Sequence, residues 1–118
     1  MRRLRRTALS VTPKQLYIDW ANGVEAGGVK IGSEFMPEQT IYLVEDTTEQ
    51  VVDLHTLLEP YYAAIFEEEL GGWHRREREW PTRRDLSTFL DWFGVEVHSM
   101  VLDLNGGWCV RTEGYERY

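Results

Sequence analysis

Three residues stand where chemistry could be done: Glu69, Glu96 and His98. Laid on a helix at about 100° per residue, Val51, Leu58, Tyr62, Ile65, Phe66, Leu70 and Trp73 form one broad apolar stripe, with Val52 and Leu54 at its edges. Glu67 and Glu68 fall off the stripe, where charge belongs. Glu69 follows Ile65 by four and Phe66 by three, which puts it near the middle of the apolar face. His55 lands on the same line provided that Pro60 does not break the helix. A carboxylate in such a place must be paired, hydrogen-bonded or protonated, because burying a bare charge is costly. Two roles follow: a structural carboxylate meeting an Arg, a Trp N–H or a backbone amide under the core, or a ligand or acid–base group. The structural role leads, since ion-pair networks place carboxylates in the same way.

Glu96 and His98 are two apart on a predicted strand and so share a face. If the long helix crosses that sheet, Glu69 comes near them, and two carboxylates with an imidazole suit a hard or borderline cation. Glu67, Glu68 and His74 are the other nearby ligand types. The chain has no H-E-x-x-H, no E-x-x-H on a helix and no clustered Asp loop. His98 is therefore read first as a half-buried structural histidine bonded to a carboxylate, and no cofactor is predicted. A small metal-binding protein or metal-dependent enzyme using Glu69, Glu96 and His98 is the alternative reading.

Other chemistries are less well served. Ser99 adjoins His98, but neighbours on a strand point to opposite faces, and no G-x-S-x-G surrounds any serine. Cys109 has only Arg111 as a basic neighbour, so neither nucleophile has an activating partner. The glycine-rich run Gly27-Gly28-Val29-Lys30-Ile31-Gly32 lacks both the G-K-[ST] ending and the G-x-G-x-x-G spacing of nucleotide loops. Trp73, Trp80 and Trp92 interleave with Arg75, Arg76, Arg78, Arg83 and Arg84, a mixture that can stack bases. Between Glu67 and Asp85, however, six acids face five arginines, so the local field is nearly neutral.

The elements that must position these residues follow from periodicity and punctuation. Arg5 to Val11 reads as a short strand with Leu9 and Val11 on one face. Thr12-Pro13-Lys14-Gln15 reads as a helix start, with Thr as N-cap and Pro in the first turn. That helix runs to about Gly23 with Leu16, Tyr17, Trp20 and Val24 as its apolar edge, and Val29 to Glu38 is loop. Thr40 to Val44 is apolar on both faces and reads as a buried strand. Thr47 to Gln50 reads as the cap of the long helix, which Pro60 must kink or divide and Gly71-Gly72 must stop. Thr82 to Asp85 caps a third helix, in which Leu86, Phe89, Leu90 and Phe93 repeat at helical spacing, with Gly94 as the stop. Val95 to Leu104 reads as a strand whose second half, apolar on both faces, enters the middle of a sheet. After the turn signal Asn105-Gly106-Gly107, Trp108 to Thr112 folds back as a hairpin partner. The expected fold is α+β: a small antiparallel or mixed sheet of three or four strands, with about three helices packed on one side.

With 118 residues, the chain is expected to form one domain over 1–118, with a basic arm at 1–6 and a loose tail at 113–118. The net charge of −7 is polarised. Arg2, Arg3, Arg5 and Arg6 stand together at the front. Ile31 to His74 contains no Lys or Arg, and a cluster of arginines follows from Arg75. Overall acidity argues against nucleic acid as a partner, whereas polarised charge and many aromatics suit association with another protein. A lone cysteine and no membrane-length apolar run point to the cytoplasm.

Five stretches carry a resemblance: Thr12 to Gln15 with Asp19-Trp20, Ile41-Tyr-Leu-Val-Glu-Asp46, Ile65-Phe-Glu-Glu-Glu-Leu70, Trp80-Pro-x-Arg-Arg84, and Trp92-Phe-x-Val-Glu-Val-His-Ser-Met-Val101. Together they resemble a group of small uncharacterised bacterial proteins, over roughly Thr12 to Leu104. The resemblance implies a bacterial cytosolic protein and carries over no catalytic residue. The leading expectation is thus a non-enzymatic protein-interaction module, a homodimer, with an open strand edge near Trp108 to Thr112 as the contact.

Overall fold

The structure, a computed structural model, describes residues 2–3, 6–24, 38–45 and 53–105. Its elements run β1 (Arg2–Arg3), β2 (Arg6–Pro13), α1 (Gln15–Val24), β3 (Thr40–Glu45), α2 (Leu54–Leu58), α3 (Tyr62–Trp73), a single 3-10 turn (Glu77–Glu79), α4 (Leu86–Trp92), β4 (Phe93–His98) and β5 (Leu102–Asp103). β2 is the middle of a three-stranded antiparallel sheet in the order β3-β2-β4. β1 and β5 form a separate antiparallel pair, Arg2 opposite Asp103 and Arg3 opposite Leu102. The class is α+β, as expected.

β2 is buried along its length from Thr7 to Val11 because it has a neighbour on each side. Leu9 and Val11 point to the inner face, where the helices lie, and Val44 lies beside Thr7 on that face. On the outer face Ala8 sits between Leu43 and His98, and Ser10 between Ile41 and Glu96. The core belongs to the inner face: Leu9, Val11 and Val44 pack with Tyr17, Ala21, Leu57, Leu58, Ile65, Phe66, Leu70, Phe89 and Phe93. At its centre Phe66, Phe89 and Phe93 are fully buried, with ring centroids 5.1–5.7 Å apart. Burying one such ring contributes about 1.5–3 kcal/mol.

The helices meet this core through their local chemistry. Tyr17 and Ala21, four apart, are the buried side of α1. The Lys14 ammonium donates to the carbonyl of Leu90 at 2.9 Å, placing a cation at the C-terminal turn of α4. Three indole N–H groups pin the packing: Trp73 to the carbonyl of Ala21, Trp20 to that of Glu79 and Trp80 to that of His74. These three partly buried indoles thus keep their polar tips satisfied. No helix among the described residues is long and apolar enough to cross a membrane.

Several expectations are corrected. Pro60 does divide the predicted long helix, but the first piece begins at Leu54, with Asp53 as its N-cap accepting from the Thr56 amide. The cap expected at Thr47 to Gln50 lies outside the described residues. Thr12 and Pro13 end β2 instead of opening α1, because their backbone is held in the ladder opposite Gly94 and Phe93. Leu16 is 48% exposed, so the apolar edge of α1 is narrower than read. Asp85 itself caps α4, accepting from the Thr88 amide. Phe93 is already strand, and α4 passes into β4 with no glycine stop.

β3 is not a buried strand. It is an edge strand with Ile41 56% and Leu43 53% exposed, because the core lies on the other face of the sheet. The strand predicted over Val95 to Leu104 is two pieces, and Met100, Leu102 and Leu104 are exposed instead of entering a sheet centre. The glycine-rich run at 27–32, the return strand at 108–112, Cys109 and the tail at 113–118 lie outside the described residues.

Candidate functional site

Glu69 occupies the position that helical spacing assigned to it, and its answer to partial burial is a tyrosine. Tyr42, on the inner face of β3 opposite Leu9, donates its hydroxyl to Glu69 Oε2 at 2.5 Å. Tyr17 on α1 donates to the backbone carbonyl of Glu69 at 2.9 Å. Strand β3 and helix α1 are thereby tied to the same turn of α3. Burial first, and the Glu69 charge second, push the Tyr17 phenol up to about 12. Burial, then the hydrogen bond to Glu69, raise Tyr42 still further. Both phenols stay neutral donors at ordinary pH, which fits a carboxylate held by hydrogen bonds instead of a counter-cation. None of the partners expected for Glu69 is the one found.

Glu96 and His98 do share a face, but it is the outer one. Register puts Glu96 opposite Ser10 and His98 opposite Ala8. His98 Nε2 is 3.1 Å from Ser10 Oγ and 3.9 Å from Glu96 Oε2. Glu69 lies on the helical side of the sheet, bonded to the inward Tyr42. The sheet itself separates Glu69 from Glu96 and His98, so the three do not form one site. The helix packs on the sheet as the metal hypothesis needed, but on the wrong face. Among the described residues no group of three or more His, Cys, Asp and Glu is placed to hold a metal ion.

The basic–aromatic stretch separates into two kinds of residue. Trp73, Trp80 and Trp92 pack against the core instead of offering free ring faces. Arg75, Arg76, Arg78, Arg83 and Arg84 are exposed. Arg84 stacks over Trp80 at 5.4 Å. Arg83 pairs with Asp85 at 2.8 Å, and Arg76 with Glu79 at 3.6 Å. Thr88 and Arg83 together hold the Asp85 carboxyl well below the usual carboxylate range. His74, one of the proposed ligands, has Nε2 3.0 Å from Glu79 Oε2. The pair lacks hydrogen-bond alignment, and Nε2 has no hydrogen bond in the structure.

The unpredicted surface is the sheet's outer side and its two edges. Ile41 and Leu43 on the outer face of β3, and Val97 on β4, 45% exposed although it lies on the inner face opposite Leu9, are large apolar side chains that the described helices leave uncovered. Thr40 to Val44 was legible as a strand, but being apolar on both faces it gives no sign of which face would be covered. Tyr42 and Ser10, the partners of Glu69 and His98, come from strands remote in sequence and carry no local signal.

No protein-family model, curated protein or solved structure matches the chain.

Proposed function

We propose that this protein is a non-enzymatic protein-interaction module that associates with a second copy of itself. The observation that carries the reading is the exposed apolar residues of the two edge strands, Ile41 and Leu43 on the bare outer face of β3 and Val97 near the end of β4, beyond the cover of the core. Edge strands with free backbone groups template pairing with another chain, and exposed apolar side chains supply the area that association removes from water. The dispersal of the candidate chemical residues supports the same reading, since Glu69 is engaged by Tyr42 on one face while Glu96 and His98 lie on the other. The working compartment is taken to be the bacterial cytoplasm, supported by a single cysteine, Cys109, and by the resemblance described above.

Sedimentation velocity across a concentration series tests the proposal. A dimer forming with a dissociation constant of about 10 µM or tighter is expected. A species that stays monomeric up to about tenfold above that concentration refutes self-association.

A further inference from the structure

Resting on the self-association reading, we propose that β4 is the edge that pairs, antiparallel to β4 of a second copy about a two-fold axis at Val97, with Glu96 of each copy opposite His98 of the other.

The ladder decides which backbone groups are free. The Lys14 amide donates to the Trp92 carbonyl at 2.8 Å, continuing the register that sets Thr12 opposite Gly94 and Ser10 opposite Glu96. Residues 92, 94, 96 and 98 therefore turn their N–H and C=O groups toward β2, and by alternation Val95 and Val97 turn theirs outward. On the opposite edge the same alternation turns Ile41, Leu43 and Glu45 outward. There Tyr61 intrudes: its hydroxyl takes the Glu45 amide at 3.4 Å, so the ring stands beside the end of β3 where a pairing strand would lie. β4 has no such cover among the described residues, which makes it the better template.

Charge then selects the register. A two-fold at Glu96 would set the two Glu96 carboxylates against each other. A two-fold at Val95 would bring Val97 of one copy onto Phe93 of the other, where α4 runs into the strand. A two-fold at Val97 pairs the outward backbone groups of Val97 with their own copy and puts Glu96 opposite His98 twice. These are non-hydrogen-bonded positions, where opposing Cα atoms are about 4.5 Å apart and side chains meet closely. The groups are available: Glu96 is 74% and His98 47% exposed in its side chain, and their contact within one chain is only 3.9 Å. Ser10, the other group facing His98, is uncharged and engages only Nε2, at 3.1 Å, which leaves Nδ1 of the imidazole to be paired. The exposed Val97 side chain meets its own copy on the opposite face. Like any two-fold contact, the patch is complementary to itself.

Exchanging the paired groups tests this by sedimentation velocity. Glu96→Lys and His98→Glu should each weaken dimerisation by about tenfold, because each change acts twice and replaces attraction with repulsion or mismatch. The exchange Glu96→His with His98→Glu should restore affinity to within about twofold of the unaltered chain, since it rebuilds both pairs in the opposite sense. A monomeric unaltered chain overturns the self-association reading itself. A dimer indifferent to all three variants, or an exchange no better than the single changes, overturns only the assignment to β4. Variants that lower the unfolding midpoint without altering association assign this edge to the chain's own remaining residues, and also overturn it.

Discussion

Tyr42→Phe removes one hydroxyl and, with it, the bond that ties β3 to α3. The hydroxyl donates at 2.5 Å to a carboxylate that is only half-buried. Hydrogen bonds to charged groups contribute about 1.5–3 kcal/mol, and a partner left in a dry site adds its own desolvation. Glu69 retains access to water, so the loss belongs at the lower end, about 1–2 kcal/mol. For a chain of 118 residues the unfolding entropy is about 0.25 kcal/mol/K, so the midpoint should fall by about 4–8 °C. Glu69→Gln keeps an acceptor but loses the charge, and should cost about 1 kcal/mol. The double variant should lose less than the two single losses combined, with a coupling of at least about 0.5 kcal/mol. Calorimetric or circular-dichroism melting of the four proteins gives the cycle. Strictly additive losses, or a Tyr42→Phe protein as stable as the parent, would show that the contact does not stabilise the fold and that Glu69 is held by something else.

Acid should act through Asp85. Its carboxyl is held low in the folded chain, so the stability it contributes is complete above the ordinary carboxylate range and is lost as pH falls through that range toward the folded value. Between about pH 5 and about pH 2 the parent should therefore lose more of its melting temperature than Asp85→Asn, which still offers a capping oxygen; equal losses would refute this assignment. The two faces of the sheet should respond very differently to truncation. Phe66→Ala, at the centre of the ring cluster, should cost about 3–5 kcal/mol in urea unfolding, whereas Leu43→Ser on the outer face should change the monomer by no more than about 0.5 kcal/mol.

Much of the fold was legible along the chain because its causes are local. The helical stripe through Ile65, Phe66 and Leu70, the division at Pro60, the spacing of Leu86 and Phe89, and the strand pattern of Leu9 and Val11 all depend on residues a few positions apart. The unusual placement of Glu69 was legible for the same reason. Element ends were less so: Thr12-Pro13 has the composition of a helix cap, yet pairing with β4 holds it in the sheet. Local propensity cannot see a partner strand about eighty residues away.

The sequence by itself determined the class of fold, the polarised charge, the aromatic core and a carboxylate that had to find a partner. The tertiary structure alone decided who that partner was and which side of the sheet each group reached. Tyr42 meets Glu69 only because β3 lies at the edge of the sheet under α3. Glu96 and His98 are turned away from it by register, since adjacent residues of a strand point to opposite faces and one face holds the core. A strand's alternation specifies two faces but not which will be covered, and that choice rests on contacts between elements distant in sequence.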